Sequence, residues 1–274
     1  MLGRDLAAHL RARHQVVGAD LPEVDITDLS LVRRALQSAQ FDAVIHAAAF
    51  TAVDECEHRP DLAFQVNAEG TRNVAVACLE VPLPMLYLST DYVFDGRKPS
   101  PYAEDDPPNP LNVYGRSKLE GEKHVMELLP AAWIVRTSWL FGPLGKNFVA
   151  AILQRARRNE PLRVVDDQVG APTYTVDLAA KLEQIVMKGT PGVYHVTNRG
   201  YCSWFEFAQE ILRQAGLTRV PLSAIPTTAS DRPAVRPLNS RLAHTRLENE
   251  GLGLLPPWQD ALSRYLLRDP QARA

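Results

Sequence analysis

The feature that most constrains the fold is a regular alternation in the first 140 residues. Short runs rich in β-favouring residues alternate with segments of helical periodicity, the order expected of βαβ units around a parallel sheet. The predicted strands are 15–19, 41–46, 85–88 and 133–136, and the predicted helices are 3–14, 61–79, 113–129 and one capped by Asp28. We therefore predict an α/β fold, a Rossmann-like doubly wound parallel sheet.

The second half of the chain is less regular. From about residue 143, prolines interrupt shorter elements, until a final helix presents Trp258, Ala261, Leu262, Tyr265 and Leu266 on one face. We predict a dinucleotide-binding domain at 1–142 and a smaller, mainly substrate-binding lobe at 143–274, with some of its segments returning to the first domain. The final helix is expected to pack on the body of the protein without a chemical role.

Composition excludes several classes of function. The 274 residues carry 30 Lys and Arg against 32 Asp and Glu, with no basic run, which argues against nucleic acid or an anionic membrane as the main partner. No apolar stretch is long enough to span a bilayer, and the charged start does not resemble a signal peptide, so we expect a cytoplasmic protein. The three distant cysteines, Cys56, Cys78 and Cys202, predict buried thiols with neither a disulfide nor a metal site.

Ligands of a doubly wound sheet bind beyond the carboxyl ends of its strands, so residues there are candidates for contact with a cofactor. Asp20 follows the first predicted strand, where a carboxylate accepts hydrogen bonds from an adenosine ribose; a solvated loop aspartate is the alternative. Ala47, Ala48 and Ala49 follow another strand and would let a flat cofactor lie against the backbone, although an alanine-rich helix start reads the same way.

The strand and Gly-rich turn that should precede the first helix are missing from this sequence. Gly3 matches the last glycine of such a turn, which would allow close packing of helix and strand, but alone it is weak support. We expect that the natural start lies upstream of Met1 or that the chain has been shortened. Loss of that strand would expose apolar neighbours and unpaired backbone groups, and would remove donors for a pyrophosphate.

The strongest chemical pattern combines Thr90, at the end of a predicted strand, with Tyr114 and Lys118 at the start of a helix. Tyr114 and Lys118 are four residues apart and so share a helix face. An ammonium beside a phenol favours the phenolate and lowers the phenol pKa, while Thr90 can hydrogen-bond a substrate carbonyl. The three residues together predict a catalytic site; taken alone, the Tyr and Lys would be an ordinary exposed pair.

These residues resemble the active site of the extended short-chain dehydrogenases and, within them, the dTDP-4-dehydrorhamnose reductase family. The resemblance extends from Leu2 almost to the end of the chain, with segments at 47–54, 89–96, 110–118, 136–139, 167–173, 236–242 and 255–258. The first of these are shared widely among relatives, whereas 168–173 and 236–242 are more particular to this branch.

The resemblance implies that NADPH or NADH reduces the 4-keto group of dTDP-4-dehydro-L-rhamnose to dTDP-L-rhamnose, for surface polysaccharides. Tyr114 would then donate the proton, Lys118 would lower its pKa and hold the nicotinamide ribose, and Thr90 would orient the carbonyl. The resemblance also implies a set of substrate contacts: Thr51, Val53, Thr90, Asp91, Tyr92, Tyr114 and Trp139. Asp25 and Ile26 would lie near the adenine, with Ala47 to Ala49 under the cofactor. Trp139 reads equally as a core aromatic residue.

Several alternatives stay open at this stage. A 4,6-dehydratase would carry glutamate after the Thr-Asp pair, whereas Tyr92 follows Asp91 here. An epimerase could keep the three catalytic residues, and a regulatory subunit could bind the dinucleotide without catalysis. Asp20 favours NADH, while the family accepts NADPH, so the residues do not decide the cofactor. Neither a homodimer nor a divalent-metal requirement can be read from the sequence.

Overall fold

The computed structural model describes residues 1–268. Its α-helices are α1 (Leu2–Leu10), α2 (Leu29–Gln37), α3 (Val53–His58), α4 (Pro60–Phe64), α5 (Thr71–Glu80), α6 (Val113–Leu128), α7 (Phe148–Arg157), α8 (Thr175–Lys188), α9 (Trp204–Gln214), α10 (Thr245–Asn249) and α11 (Trp258–Arg268). Its strands are β1 (Val44–His46), β2 (Met85–Thr90), β3 (Trp133–Thr137), β4 (Leu140–Phe141), β5 (Leu162–Val165), β6 (Val169–Gly170), β7 (Thr173–Tyr174), β8 (Gly192–His195), β9 (Cys202–Ser203) and β10 (Leu222–Ile225).

A parallel sheet with the order β1-β2-β3-β8 lies at the centre of the molecule. Every residue of β2 and β3 is buried, as expected for strands covered by helices on both faces. The register places Thr90 opposite Thr137 at the carboxyl ends of β2 and β3. The predicted α/β class with a parallel sheet is confirmed, and its strand ends define where the functional residues meet.

The strand predicted at 15–19 is wrong. This segment is irregular and largely exposed, and the helix predicted at 3–14 ends at Leu10. The β-favouring residues have no hydrogen-bonding neighbour in the described part of the chain, since the sheet there ends at β1. A strand forms only where its backbone groups find partners, so local composition was insufficient.

The other predicted elements of the first half are confirmed with small shifts of their ends. Asp28 caps α2, its side chain accepting hydrogen bonds from the backbone of Ser30 and Leu31. The helix predicted at 61–79 is interrupted by a π-helical turn, Gln65–Gly70, between α4 and α5. A π turn adds a residue to the helical turn and often marks a functional position.

The second half builds a second core around α7, α9 and α11. The predicted stripe of α11 is buried there, together with Phe141, Tyr174 and Phe207. β8 returns to the central sheet and pairs with β3. The division at 142/143 stays a prediction, and residues 269–274 of the predicted lobe lie outside the described residues.

Residues 1–268 show few special features beyond the sheet, the helices and their cores. Cys56, Cys78 and Cys202 are free and buried, as predicted. Within residues 1–268 no helix combines the length and apolar character needed to cross a bilayer. No group of three or more metal-ligating side chains is found over the same residues.

Candidate active site

Thr90 ends β2 and begins the turn that carries the next candidate residues. Its Oγ1 donates to Asp91 Oδ1 at 3.0 Å and accepts from the Tyr92 backbone nitrogen at 3.2 Å. The side chain thereby caps the 3₁₀ turn Asp91–Val93. Thr90 and Asp91 are both buried, so their orientation is set by the protein interior.

The start of α6 is held tightly against this turn. Asn112 caps the helix, its Oδ1 accepting from the Gly115 backbone nitrogen at 2.8 Å. A Cβ atom at Gly115 would lie 2.1 Å from the carbonyl oxygen of Tyr92. The absence of a side chain at Gly115 therefore allows the close approach that brings Tyr114 beside Thr90.

The Thr90 hydroxyl lies close enough to the Tyr114 hydroxyl to lower the Tyr114 pKa. The Tyr114 ring meets the Tyr92 ring edge-on, with 5.9 Å between centroids. Burial raises the pKa of Tyr114 above its usual value. This differs from the expected lowering by Lys118, because the loss of solvation around the phenol dominates in this structure.

Lys118 lies one turn further along α6 and is 2% exposed. Its Nζ donates to the Leu88 carbonyl oxygen at 2.6 Å and lies 4.1 Å from the centroid of the Tyr87 ring. Burial lowers the pKa of Lys118 to about 7. The ammonium is thus held over β2, one helical turn from Tyr114.

Asn67 is a site residue that the sequence reasoning missed. It lies in the π-helical turn, and its Nδ2 donates to the Phe50 carbonyl oxygen and to Ser117 Oγ, each at 3.0 Å. Its Oδ1 accepts from the Phe50 backbone nitrogen at 2.7 Å. The fully buried amide therefore joins the chain after β1 to α6 between Tyr114 and Lys118. The signal in the sequence was a polar residue, Asn67, inside a predicted helix. The π turn that directs this side chain into the interior has no sequence signature.

Asp91 and Trp139 lie on the side of the crevice that faces the second half of the chain. Burial raises the pKa of Asp91 to about 7, and the nearby Ser240 and Thr90 hydroxyls offset part of that effect. Trp139 has a positive φ of 47° and stacks on Trp204 at 3.6 Å between centroids. A Cβ atom at Gly170 would lie 2.6 Å from the Trp139 ring, so glycine lets this ring fit beside β6.

Two distant segments close this side of the crevice. The backbone nitrogen of Val169 donates to Leu238 O and that of Ser240 donates to Val169 O, both at 2.8 Å. Arg236 binds Asp54 Oδ2 at 2.9 Å, and Arg232 binds the same atom at 3.1 Å. The family-like stretches 168–173 and 236–242 therefore meet, and the second one is tied to α3.

The predicted cofactor residues fall into two groups. Ala47, Ala48 and Ala49 follow the carboxyl end of β1 and are half-buried, and Ile26 packs on Gly70 of the π turn. Asp25 accepts hydrogen bonds from the backbone and hydroxyl of Thr27.

Gly3 lies exposed in α1, and the exposed Asp20 accepts from the Leu21 backbone nitrogen. Among residues 1–268 no described contact joins these last two to the catalytic residues.

The substrate candidates at the start of α3 are less enclosed. Thr51 is exposed and Val53 is half-buried at the first position of α3. Asp54, the next residue, lies in the segment 47–54 that carries the resemblance, and its ion pairs come from residues far along the chain. Sequence spacing gives no signal for such a pairing.

The residues of this crevice fit a nicotinamide dinucleotide. An ammonium has three hydrogen-bond donors, and Lys118 uses one of them within the described chain, so two remain for ribose hydroxyl groups. The small side chains at Ala47 to Ala49 leave room against the end of β1 for a flat ring. The crevice also lies at the carboxyl end of a parallel sheet, where such cofactors bind.

Comparison with known proteins identifies the family. A family model described as the RmlD substrate binding domain matches residues 1–269. A dTDP-4-dehydrorhamnose reductase of Streptomyces griseus is 44% identical over 272 residues, covering 96% of this chain and 89% of that protein. The spore coat polysaccharide biosynthesis protein SpsK of Bacillus subtilis is 39% identical, covering 97% and 93%.

A solved structure gives the same result. The dTDP-4-dehydrorhamnose reductase of Bacillus anthracis in complex with NADP superposes with a TM-score of 0.94 at 40% identity, covering 97% of this chain and 95% of that one. The match includes both halves of the molecule. The chain therefore belongs to the RmlD substrate-binding-domain family, together with the dTDP-4-dehydrorhamnose reductases that it resembles.

Proposed function

We propose that this protein reduces the 4-keto group of dTDP-4-dehydro-L-rhamnose to give dTDP-L-rhamnose, using NADPH or NADH, in the synthesis of surface polysaccharides. The observation that carries the proposal is the placement of the Thr90 and Tyr114 hydroxyls beside each other, with Lys118 one helical turn away. Relatives named dTDP-4-dehydrorhamnose reductase, at 36–44% identity over most of the chain, support the substrate.

The chain's own residues account for the proton that ketone reduction requires. The Tyr114 hydroxyl is protonated at neutral pH, because its pKa is not below the ordinary value of a phenol near 10, so it has a proton to donate. Thr90 hydrogen-bonds the substrate carbonyl and aligns it with Tyr114. When the hydroxyl gives up its proton, the Lys118 ammonium stabilises the negative phenolate that remains. Bound NADPH or NADH supplies the hydride that the carbonyl carbon receives.

The remaining candidates divide between substrate and cofactor. Asp91, Tyr92 and Trp139 are proposed to surround the sugar, with Thr51 and Val53 at the rim near α3. A second set is proposed to contact the cofactor: Gly3, Asp20, Asp25, Ile26, Ala47, Ala48, Ala49, Tyr114 and Lys118. The burial of Asp91 and the stacking of Trp139 support a shaped and partly dry sugar site.

The direct test follows the loss of NADPH and NADH absorbance with dTDP-4-dehydro-L-rhamnose. We expect oxidation that depends on the substrate, and a fall in kcat of roughly 100-fold or more in Tyr114→Phe, since a general acid contributes that much. Tyr201→Phe is the matched control, because Tyr201 bonds the Leu242 carbonyl away from Thr90. A folded protein that binds NADPH but oxidises none with the substrate would refute the reductase proposal and support a regulatory role.

A second substrate deserves the same assay. A dTDP-4-keto-6-deoxy-D-glucose reductase of Streptomyces niveus is 37% identical over 266 residues, which supports activity on a related 4-keto sugar. Comparing kcat/KM for the two sugars decides between them. An epimerase differs from both, because its cofactor would be recycled rather than consumed.

We further propose a cytoplasmic location and assembly as a homodimer. The three free cysteine thiols accord with a reducing compartment, and paired copies are the commonest assembly of such enzymes. Light scattering of the purified protein measures the mass directly. A monomer at working concentrations would contradict the dimer.

A further inference from the structure

A buried ion pair lies one turn beyond Lys118 and has no part in the chemistry described so far. Arg136 on β3 donates from Nε to Glu122 Oε1 at 2.9 Å and from Nη2 to Oε2 at 2.7 Å. Glu122 is fully buried, and its partner is 3% exposed. Burying two charges is costly, and replacing such a pair with apolar residues is often neutral or stabilising. A stability role alone therefore gives a weak reason for it.

The position of the pair points to the catalytic helix. Tyr114, Lys118 and Glu122 follow one another at intervals of four residues on α6, so they lie along one face. The two hydrogen bonds between Glu122 and Arg136 fix the rotation of that helix face relative to β3. In turn, β3 pairs with β2, where Ser89 lies opposite Arg136 and Thr90 opposite Thr137. The ion pair thus links the helix that carries Tyr114 and Lys118 to the strands that carry Thr90.

The guanidinium is itself well fixed. It lies 5.1 Å from the centroid of the Phe94 ring, and its Nη1 donates to the Glu104 carbonyl oxygen at 3.4 Å. His195, in register with Arg136 on β8, is buried with its pKa well below the usual value, so it adds no positive charge. Arg136 therefore holds the Glu122 carboxylate in one place.

The charged and titratable groups around Lys118 come from four strands and helices. On β2, Tyr87 has a pKa raised well above its usual value, and on β1 the pKa of His46 is lowered to about 3, so both are neutral at pH 7. Asp91 faces Tyr114 from the turn after β2. Glu122 is the group among residues 1–268 that raises the Lys118 pKa against the effect of burial.

We propose that Glu122, held by Arg136, is a positioning residue that keeps the Lys118 ammonium charged and aligned with Tyr114. This rests on the proposed reductase function for its catalytic consequence, but its electrostatic part concerns the protein alone. An opposite charge nearby favours the charged form of a base. Removing the carboxylate therefore lowers the pKa of Lys118 and leaves more of it neutral at physiological pH.

The test measures the titration of Lys118 by NMR in protein carrying isotope-labelled lysine, with the resonance assigned by its loss in Lys118→Arg. In Glu122→Gln we expect the Lys118 pKa to fall by about one unit. Glu122→Leu combined with Arg136→Met leaves no unpaired buried charge and should show the same fall, so the test does not depend on whether the single variant folds. Asp177→Asn is the control, because it removes a carboxylate that accepts two bonds from Arg264 away from α6.

Enzyme kinetics give the second measurement. We expect the alkaline limb of the kcat profile to move to lower pH in Glu122→Gln, with a smaller change in KM, and to return toward that of the wild type in Glu122→Asp. An unchanged Lys118 titration in folded Glu122→Gln or in the double variant would overturn the proposal. Absence of reductase activity in the wild type would refute the proposed function while leaving the titration result interpretable.

Discussion

Asp91 places a carboxyl group inside the protein directly beside Thr90. Burial raises its pKa to about 7, whereas an unfolded chain gives an aspartate its ordinary value near 4. Between these two values the folded protein holds a proton that the unfolded chain has lost. The free energy of unfolding of the wild type therefore falls as the pH rises through this interval.

Asp91→Asn removes this dependence. We expect the free energy of unfolding of the variant, relative to that of the wild type, to increase by up to about 4 kcal/mol as the pH rises from about 4 to about 7. The size of the Asp91 pKa shift sets this limit. Urea denaturation at several pH values measures it. Asp28→Asn gives a control of opposite sign, because the helix-capping hydrogen bonds lower the pKa of Asp28. A difference between Asp91→Asn and the wild type that does not change with pH would show that Asp91 is ionised throughout.

At the scale of elements, the site depends on how closely α6 approaches the turn after β2. Gly115 is the point of contact, with the Tyr92 carbonyl oxygen occupying the space where a Cβ would lie. The Asn112 cap and the bond from the Val113 backbone nitrogen to Glu57 Oε1 fix the first turn of the same helix. The position of Tyr114 therefore depends on the contact between the Gly115 backbone and the Tyr92 carbonyl oxygen.

Gly115→Ala should force α6 away from β2. We expect a loss of stability of about 1–3 kcal/mol, as for other overpacked sites, and a lower kcat, because Tyr114 moves away from Thr90. Thermal unfolding and the reductase assay measure the two effects. Gly18→Ala serves as the control for stability, since a Cβ there meets nothing within 4 Å. Wild-type stability and activity in Gly115→Ala would mean that the backbone relaxes without cost.

The elements that the sequence predicted are those specified by local patterns. Asp28 predicted the start of α2, and short runs of apolar residues predicted β2 and β3. These predictions succeed because capping and burial act over a few neighbouring residues. The π turn that carries Asn67 was not predictable, since it depends on packing against α6 and on the hydrogen bonds to Phe50. The false strand at 15–19 shows the converse, because a strand also requires a partner distant in sequence.

At the scale of the whole molecule, the crevice is closed by contacts between residues far apart in the chain. Arg236 reaches Asp54 across 182 positions of sequence. The candidate residues Thr90, Tyr114 and Lys118 could be chosen from spacing within one helix and one strand end, and their catalytic roles stay a prediction. The contact between Arg236 and Asp54 and the ion pair between Glu122 and Arg136 were not predictable, because local spacing does not specify which charges meet after folding.

Arg236→Met should loosen the segment that closes the sugar side. We expect KM for the sugar nucleotide to rise about tenfold, equivalent to roughly 1.4 kcal/mol of binding energy, with a smaller change in kcat because Thr90 and Tyr114 stay in place. Steady-state kinetics measure both constants. Arg213→Met is the matched control, since Arg213 pairs with Glu210 on the exposed face of α9. An unchanged KM in folded Arg236→Met would contradict a role in closing the site.

The stacked indoles of Trp139 and Trp204 have an optical consequence. Two nearly parallel rings 3.6 Å apart couple their electronic transitions, so the pair should give a circular dichroism couplet that Trp204→Phe removes. Trp139 lies beside Gly170, whose other close neighbour is the Ser240 hydroxyl. With the sugar in the proposed site beside Trp139, we expect its binding to change the surroundings of one indole of the pair. The couplet would then report sugar binding without a label and without turnover.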